Sequence, residues 1–268
     1  MDREKAQSVI DYLYMHFGLF FGYVLYLLNA LVLRASGKAR GLEELKGTAE
    51  GKRCFLIGNG PSLTYEDLRK LKDEKTFGCN SLCLAFEEAG FSTTYYFFLD
   101  WRVYRNHRKI IDSYGEGMVF FRSTLSCFLS KAGRAFWRKA RPFNSLSHYN
   151  YQHERTRKFS EKPYKTVYDG YTVIYAMMQI AVYMGFTEIC LLGVDCDYTH
   201  GKNNNHFAGS GTEHVTSSEV NYATLKMGEA FEVAREYAEK RGIRIINCSR
   251  GGKLEVFERK SLDEILKL

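Results

Sequence analysis

Apolar residues occur along the chain in two ways, as one long run near the start and as short segments separated by predicted helices. The short segments at 53–57, 76–79, 94–99 and 118–121 each read as a strand, and a predicted helix follows each of the first three. Strands that alternate with helices form a parallel sheet. The pattern therefore predicts an α/β fold, a Rossmann-like parallel sheet with helices on both faces.

The alternation is interrupted between residues 123 and 168, which are rich in Arg, Lys, Tyr, His and Asn and show no strong period. We interpret this stretch as a helical insertion or lid. The alternation resumes with a predicted helix over 172–184 and a predicted strand over 188–193. The elements predicted after it are a polar loop (199–218), a long helix (220–241), a strand (244–246) and a closing segment (262–266).

The long apolar run covers residues 9–33 and is interrupted by Asp11, His16 and Asn29. A helix that spans a bilayer needs roughly 20 apolar residues, so this run is at the threshold. Three interpretations stay open: a single span, a helix lying in the membrane interface, or a helix packed on the domain or on a partner subunit.

Basic residues follow the apolar run, at Arg34, Lys38 and Arg40. If the run spans a membrane, they put the rest of the chain in the cytoplasm. We therefore expect residues 1–41 to form an N-terminal apolar, membrane-associating helix with a linker, and residues 42–268 to form the main domain. The expected location is the cytoplasmic face of the inner membrane.

Charge and cysteine content indicate which partners the protein binds and in which redox compartment it resides. The formal net charge is +7, but Lys and Arg are scattered, which argues against a nucleic-acid-binding surface. A moderately basic surface suits anionic substrates or an anionic membrane. The seven cysteines follow no zinc or redox spacing. We expect Cys54, Cys79 and Cys190 to be buried free thiols in a reducing compartment.

Residues 58–63, with the sequence GNGPSL, join the first predicted strand to the first predicted helix. Two glycines permit positive φ and close backbone approach, and a helix N-terminus offers free N–H groups to an anion. The loop therefore predicts a phosphate site, with a hydroxyl-capped tight turn as the alternative. No Lys-Ser or Lys-Thr pair follows, so the loop is not of the Walker type. Its candidate binding residues are Gly58, Asn59, Gly60, Pro61 and Ser62.

Polar residues also end neighbouring strands. Asn80 follows the second strand and Asp100 the third, so both are expected at the carboxyl edge of the sheet, where ligands of open parallel sheets bind. Gly193, Val194 and Asp195 end a later strand. The Asp195 carboxylate can bind a ribose hydroxyl or a metal, or cap the turn.

A polar loop after this strand contains three histidines, His200, His206 and His214. An imidazole next to a nucleotide-binding edge is suited to act as a general base, although a histidine on a surface loop commonly has no such role.

These motifs together resemble the bacterial sialyltransferases that use CMP-sialic acid. They resemble at least as much the broader family of sialyltransferase-like and 6-hydroxymethylpterin-diphosphokinase-like proteins among surface-glycan enzymes. The resemblance rests on the GNGPSL loop, on Cys79 and Asn80, and on the block from Thr172 to Asp195, with residues 181–189 and 192–195 as its most specific part. Residues 247–254 resemble the broader family, and the match covers about residues 52–257.

The resemblance implies that Asn59 and Asn80 hold the nucleotide and that Thr172 contacts the CMP part. It also implies a catalytic histidine in the loop before the last long helix, where His206 and His214 both stand. The tyrosine that steadies the leaving phosphate aligns with Asp197, one position before Tyr198.

We therefore expect residues 42–268 to be a nucleotide-binding, glycosyltransferase-like domain for surface polysaccharide biosynthesis. It would move a nonulosonic or related acidic sugar from a CMP-activated donor to a glycan or lipid-linked acceptor. His206 would deprotonate the acceptor, with His214 as its rival, and Tyr198 or Lys202 would neutralise the leaving phosphate. No metal or other cofactor is expected. The expected partners are the nucleotide-activated sugar, the acceptor and the inner membrane surface, without nucleic acid, and a homo-oligomer stays open.

Two alternatives stay open. A Mg-ATP-dependent 6-hydroxymethylpterin diphosphokinase would hold Mg²⁺ through Asp100, Asp195 and Asp197, but a soluble pterin gives no reason for the apolar N-terminal run. A non-catalytic nucleotide-binding scaffold in glycan assembly would keep the fold without the chemistry.

Overall fold

The computed structural model describes residues 20–124, 133, 136–137, 139–146, 158–197, 207 and 217–267, with the backbone alone over 217–223. The predicted polar loop over 199–218, apart from residues 207, 217 and 218, and about half of the predicted lid therefore lie outside the described residues.

A parallel sheet of eight strands forms the centre of the domain, in the order β10-β9-β8-β1-β2-β3-β4-β5. Two further strands, β6 and β7, pair with each other in a small parallel sheet. The strands are β1 (Arg53–Ile57), β2 (Thr76–Cys79), β3 (Tyr95–Phe98), β4 (Val119–Arg122), β5 (Arg141–Phe143), β6 (Ser145–Leu146), β7 (Val167–Tyr168), β8 (Glu188–Leu192), β9 (Arg244–Asn247) and β10 (Glu258–Arg259).

The strand order reverses once, between β1 and β8. The chain lays down β1 to β5 in one direction, then returns to place β8 on the other side of β1 and continues to β10. The two strands pair from Arg53 opposite Glu188 to Ile57 opposite Leu192. In open parallel sheets a crevice forms outside the carboxyl ends of the strands at such a reversal. The topology therefore predicts a binding crevice at the carboxyl ends of β1 and β8.

Helices cover both faces of the sheet, as predicted. Successive residues of a strand point to opposite faces: Leu56 enters the apolar core beneath α6 and α7, and Phe55 and Ile57 enter the core on the other face. The helices are α1 (20–35), α2 (Arg40–Glu43), α3 (Tyr65–Lys70), α4 (Phe86–Ala89), α5 (Trp101–Ile111), α6 (Val173–Met184), α7 (Ser217–Glu239) and α8 (Leu262–Leu266), with a 3₁₀ helix at Asn80–Ala85. Cys54, Cys79 and Cys190 are buried free thiols, as expected.

The stretch from 123 to 168 contains short strands that its composition did not predict, together with helical residues at 133, 136–137 and 139. It supplies β5, the edge strand of the main sheet, and both strands of the small sheet. These strands are two or three residues long, too short to show a period of two. β5 also contains Pro142, which sequence patterns disfavour in strands but which an edge strand accommodates.

Helix α1 is joined to the domain by buried contacts rather than separated from it. Asn29 is 5% exposed, and its Nδ2 donates to Ser123 Oγ at 2.6 Å and to Asn144 Oδ1 at 2.9 Å. Leu33, one turn further on, is also buried. Nowhere in the described part of the chain is a helix long and apolar enough to cross a membrane. Residues 9–19 of the apolar run lie outside the described residues.

Candidate functional site

The glycine loop lies against the end of β8. A Cβ atom on Gly58 would lie 2.3 Å from the Gly193 carbonyl oxygen, and one on Gly60 would lie 2.5 Å from Cγ of Asp195. Gly193 itself has φ of +63°, which favours glycine. The glycines therefore allow the loops after β1 and β8 to pack backbone against backbone at the point where the strand order reverses.

The hydrogen-bond donors of this loop are directed at the protein. The amides of Gly58 and Gly60 donate to the carbonyls of Leu192 and Gly193, at 2.8 and 2.7 Å. Both the amide and the hydroxyl of Ser62 donate to the carboxylate of Asp195, which is 5% exposed. A ligand phosphate would have to displace Asp195 to use the Ser62 donors. The Gly58, Gly60 and Ser62 donors of the predicted phosphate site are thus paired within the protein in this structure, and the phosphate site itself stays a prediction.

The start of α3 is closed in a similar way. Thr64 caps the helix in a reciprocal capping box with Asp67. The guanidinium of Arg250 binds both carboxylate oxygens of the buried Asp67 and donates to the Ser62 carbonyl at 3.3 Å. These bonds raise the pKa of Arg250. The 247–254 segment, noted above for its resemblance, thus braces the glycine loop from outside.

Asn59 and Asn80, the two predicted nucleotide-binding amides, stand on adjacent strand ends. Asn59 Nδ2 donates to the Cys79 carbonyl at 3.1 Å, which ties the end of β1 to the end of β2. Asn80 has a partly exposed side chain and a left-handed backbone, with φ of +51°, and its carbonyl accepts a hydrogen bond from the Tyr96 hydroxyl. The Asn80 amide is therefore available for a ligand beside Asn59.

Left-handed backbone is concentrated around this edge. In the described part of the chain, the non-glycine residues with positive φ are Asn80, Tyr171 and Cys196. Asn80 follows β2, Cys196 follows β8, and Tyr171 precedes α6, whose first turn faces the same edge. Such conformations cost of order 1–3 kcal/mol each and accumulate at functional sites. The strain supports the carboxyl edge as the site.

Charged groups stand at the ends of β3 and β4. Asp100 caps α5 and accepts from the Arg102 amide and Nε at 2.8 and 2.7 Å. Partial burial works to raise the pKa of Asp100, but the hydrogen bonds and charge of Arg102, with the charge of Arg122, lower it overall. This carboxylate is thus held in its ionised form.

Arg122 is the functional candidate that the sequence did not reveal. It is the last residue of β4, and its Nη1 lies 3.8 Å from the buried carboxylate of Asp169. Its Nε is buried and has no hydrogen-bond partner among the described residues. The predicted strand stopped at Phe121, and a single Arg in a basic protein gives no signal of its own. Only the pairing of β4 brings it to the site edge.

The remaining predicted residues have structural partners. Thr172 caps α6 by accepting from the Ile174 amide at 3.3 Å. The Val194 amide donates to Ser249 Oγ at 2.9 Å, and Asp197 pairs with Lys253 Nζ at 3.0 Å. The described residues contain no group of three His, Cys, Asp or Glu side chains that could hold a metal ion.

The predicted catalytic residues Tyr198, Lys202, His206 and His214 lie outside the described residues. Phe207, the neighbour of His206 in the chain, is described: its amide donates to the Asn59 carbonyl at 2.6 Å, and its ring lies 5.0 Å from that of Tyr65. The polar loop is therefore attached to the glycine loop one position after His206.

Comparison with known proteins adds a family and a shared fold. A family model described as 6-hydroxymethylpterin diphosphokinase MptE-like matches residues 32–201. No curated protein sequence matches this chain.

Among solved structures, the chain is similar to the MAf glycosyltransferase from Magnetospirillum magneticum AMB-1, with 17% identity and a TM-score of 0.52. That match covers 81% of this chain and 35% of the Magnetospirillum enzyme, so the chain spans about a third of its length. Two structures of the sialyltransferase CstII from Campylobacter jejuni, one with cytidine-5'-monophosphate and one with CMP-3FNeuAc, match at 18% and 16% identity. They cover 79% and 78% of this chain and 86% of each CstII chain, with TM-scores of 0.45 and 0.43. The Magnetospirillum match shows a shared Rossmann-like fold.

Proposed function

The chain belongs to the 6-hydroxymethylpterin diphosphokinase MptE-like family, and from that premise we propose that it is a glycosyltransferase with a CMP-activated donor. The observation that supports this most is the row of polar groups along the carboxyl ends of β1, β2 and β4, formed by Asn59, Asn80 and Arg122. Amides recognise a nucleotide by hydrogen bonds, and a guanidinium recognises an anionic group. No Walker lysine follows the glycine loop in the sequence. A donor with a single phosphate does not require one.

The proposed reaction is one displacement. The acceptor hydroxyl oxygen attacks the anomeric carbon of the donor sugar, the bond from that carbon to the phosphate oxygen breaks, and CMP leaves. His206 takes the hydroxyl proton, with His214 as the other candidate. Tyr198 or Lys202 neutralises the charge on the departing phosphate. The protein groups alone supply these roles, so the proposal includes no metal.

The donor sugar in this proposal carries an acidic group. The partnerless Nε of Arg122 is a buried N–H whose desolvation is not offset by a bond among the described residues. A carboxylate or phosphate oxygen would satisfy it, and the guanidinium fork suits either. A nonulosonic or related acidic sugar supplies such a carboxylate next to its anomeric carbon. The acceptor is a glycan or a lipid-linked glycan at the cytoplasmic face of the inner membrane.

A second candidate function follows from the family's description, a Mg-ATP-dependent 6-hydroxymethylpterin diphosphokinase. Its three predicted metal carboxylates have separate partners in this structure: Asp100 pairs with Arg102, Asp195 with Ser62, and Asp197 with Lys253. Each would have to release its partner and turn toward a common ion. This rearrangement makes the transferase the better-supported function.

Calorimetric titration of the full chain with CMP, CDP, UDP and ATP, each with and without Mg²⁺, tests the choice. We expect CMP to bind without Mg²⁺ and to compete with any CMP-sugar. A strict requirement for Mg²⁺ together with a preference for ATP would favour the diphosphokinase. Binding of CMP-sugar without turnover, over a panel of glycan and lipid-linked acceptors, would instead indicate the non-catalytic scaffold.

A further inference from the structure

Helix α1 exposes an apolar surface that the rest of the domain does not cover. The described part of the chain has ten exposed large hydrophobic side chains, and seven of them are in this helix, each 44–65% exposed. Contiguous apolar surface of this kind marks a site of interaction with a membrane or another protein. We refer to this set as the outer face; it consists of Phe20, Phe21, Tyr23, Leu25, Leu27, Leu28 and Leu31.

The opposite side of α1 is held firmly on the domain. The contacts come from Asn29 and Leu33, with Tyr26 hydrogen-bonded through its hydroxyl to Thr166. Asn29 binds Ser123 and Asn144, which directly follow β4 and β5, so this part of the helix lies at the carboxyl edge of the sheet. After the helix, a Cβ atom on Gly41 would lie 3.4 Å from Nη1 of Arg141, at the start of β5. Helix α1 therefore runs along the outer edge of β5.

We propose that the outer face of α1 lies in the interface of an anionic lipid membrane, with the β5 side of the domain toward the lipid. A helix with one apolar face outward and one face fixed to a domain fits an interfacial position and not a spanning one. In this orientation, the carboxyl edge of the main sheet lies beside the membrane surface. This last point rests on the proposed function, because it would let the site reach an acceptor carried on a lipid.

The charge around the helix identifies lipid as the occupant. Four basic residues against two acidic ones stand between positions 34 and 46, and Arg34 and Arg40 are exposed directly after the outer face. Each Lys or Arg near an anionic membrane surface strengthens binding roughly fivefold. In the sequence, the apolar run continues toward the N-terminus as far as residue 9.

Vesicle flotation of the full chain tests the proposal without any substrate, so its failure is separate from failure of the transferase proposal. We expect the chain to float with vesicles of phosphatidylcholine containing phosphatidylglycerol, and less with phosphatidylcholine alone. The triple substitution Phe21→Ser, Leu28→Ser and Leu31→Ser should lower vesicle binding more than tenfold. The matched control is Leu225→Ser, since Leu225 is 61% exposed on α7, and it should float as the unaltered chain does.

The charge contribution has its own test. The pair Arg34→Gln and Arg40→Gln should weaken binding several-fold to the anionic vesicles and leave binding to phosphatidylcholine unchanged. Hydrogen exchange on vesicles should show protection in α1 and none in β10 at the other edge of the sheet. A chain that ignores both vesicle types and forms a dimer that the triple substitution dissociates would overturn the proposal in favour of a second copy. Protection at β10 would overturn the orientation.

Discussion

The two halves of the carboxyl edge differ in what their polar groups bind. At the β1–β8 half, Ser62 and Asp195 bind each other, and Arg250 closes over Asp67. At the β2–β4 half, Arg122 Nε has no hydrogen-bond partner among the described residues, and Asn80 is partly exposed. In this structure the polar groups of the glycine loop are paired within the protein, whereas those of the neighbouring strand ends are less so.

The largest expected effect is on turnover, and it concerns the polar loop that Phe207 attaches to Asn59. His206→Ala should lower turnover by roughly 10²–10⁴-fold and leave CMP affinity almost unchanged, because a general base acts on the acceptor and not on the nucleotide. The same kinetic assay on His214→Ala decides between the two histidines. Near-normal turnover of the His206 variant would eliminate His206, and a loss confined to the His214 variant would assign the base to His214.

Substitutions in the β1–β8 half should lower the stability of the protein. Asp195→Ala leaves the partly buried Ser62 amide and hydroxyl without their acceptor, so the free energy of unfolding should fall by about 2–4 kcal/mol. Urea denaturation measures it. Asp263→Ala is the matched control, since it removes an exposed carboxylate paired with Lys70 and should leave the midpoint nearly unchanged.

A substitution of Ser62 can contradict this difference between the two halves. If Ser62→Ala weakened CMP binding strongly and left the unfolding midpoint unchanged, the glycine loop would hold the phosphate after all. The Ser62–Asp195 bond would then belong only to the ligand-free protein.

Substitution of Arg122 tests whether the β2–β4 half binds the sugar or the phosphate of the donor. Arg122→Gln should raise the KM for an acidic CMP-sugar roughly tenfold or more, since a charge-assisted hydrogen bond contributes about 1.5–3 kcal/mol. Affinity for CMP itself should change little, and Arg122→Lys should restore only part of the KM because it lacks the guanidinium fork. An equal loss for CMP and for the CMP-sugar would assign Arg122 to the phosphate instead of the sugar.

The smallest effect concerns Asn80. Asn80→Gly removes the amide and keeps the left-handed backbone, which glycine adopts without strain. CMP affinity should fall about tenfold by calorimetry while the melting temperature stays close to that of the unaltered chain. Asn59→Ala is the informative companion: it should weaken CMP and also lower stability, because the Cys79 carbonyl loses its donor.

The sequence by itself determined six of the eight strands of the main sheet and the helices between them, whereas β5 and β10 were not predicted. β1 and β2 have the bounds that were predicted, and the alternation of strand and helix anticipated a covered parallel sheet. This was possible because a buried strand is a local apolar segment and α6 is apolar on nearly every side. The strand ends after β1, β2 and β8 followed from the same pattern, so Asn59, Asn80 and Asp195 were found at one edge in advance.

Only the tertiary structure decided which of these groups are paired with other groups of the protein. The pairing of Ser62 with Asp195 joins residues far apart in the chain, and no local pattern reports it. The same holds for Arg122, which reaches the site through β4, and for the attachment of α1 through Asn29. Hydrogen bonds between distant segments depend on strand order, which here places β8 beside β1 although the two strands are far apart in the chain.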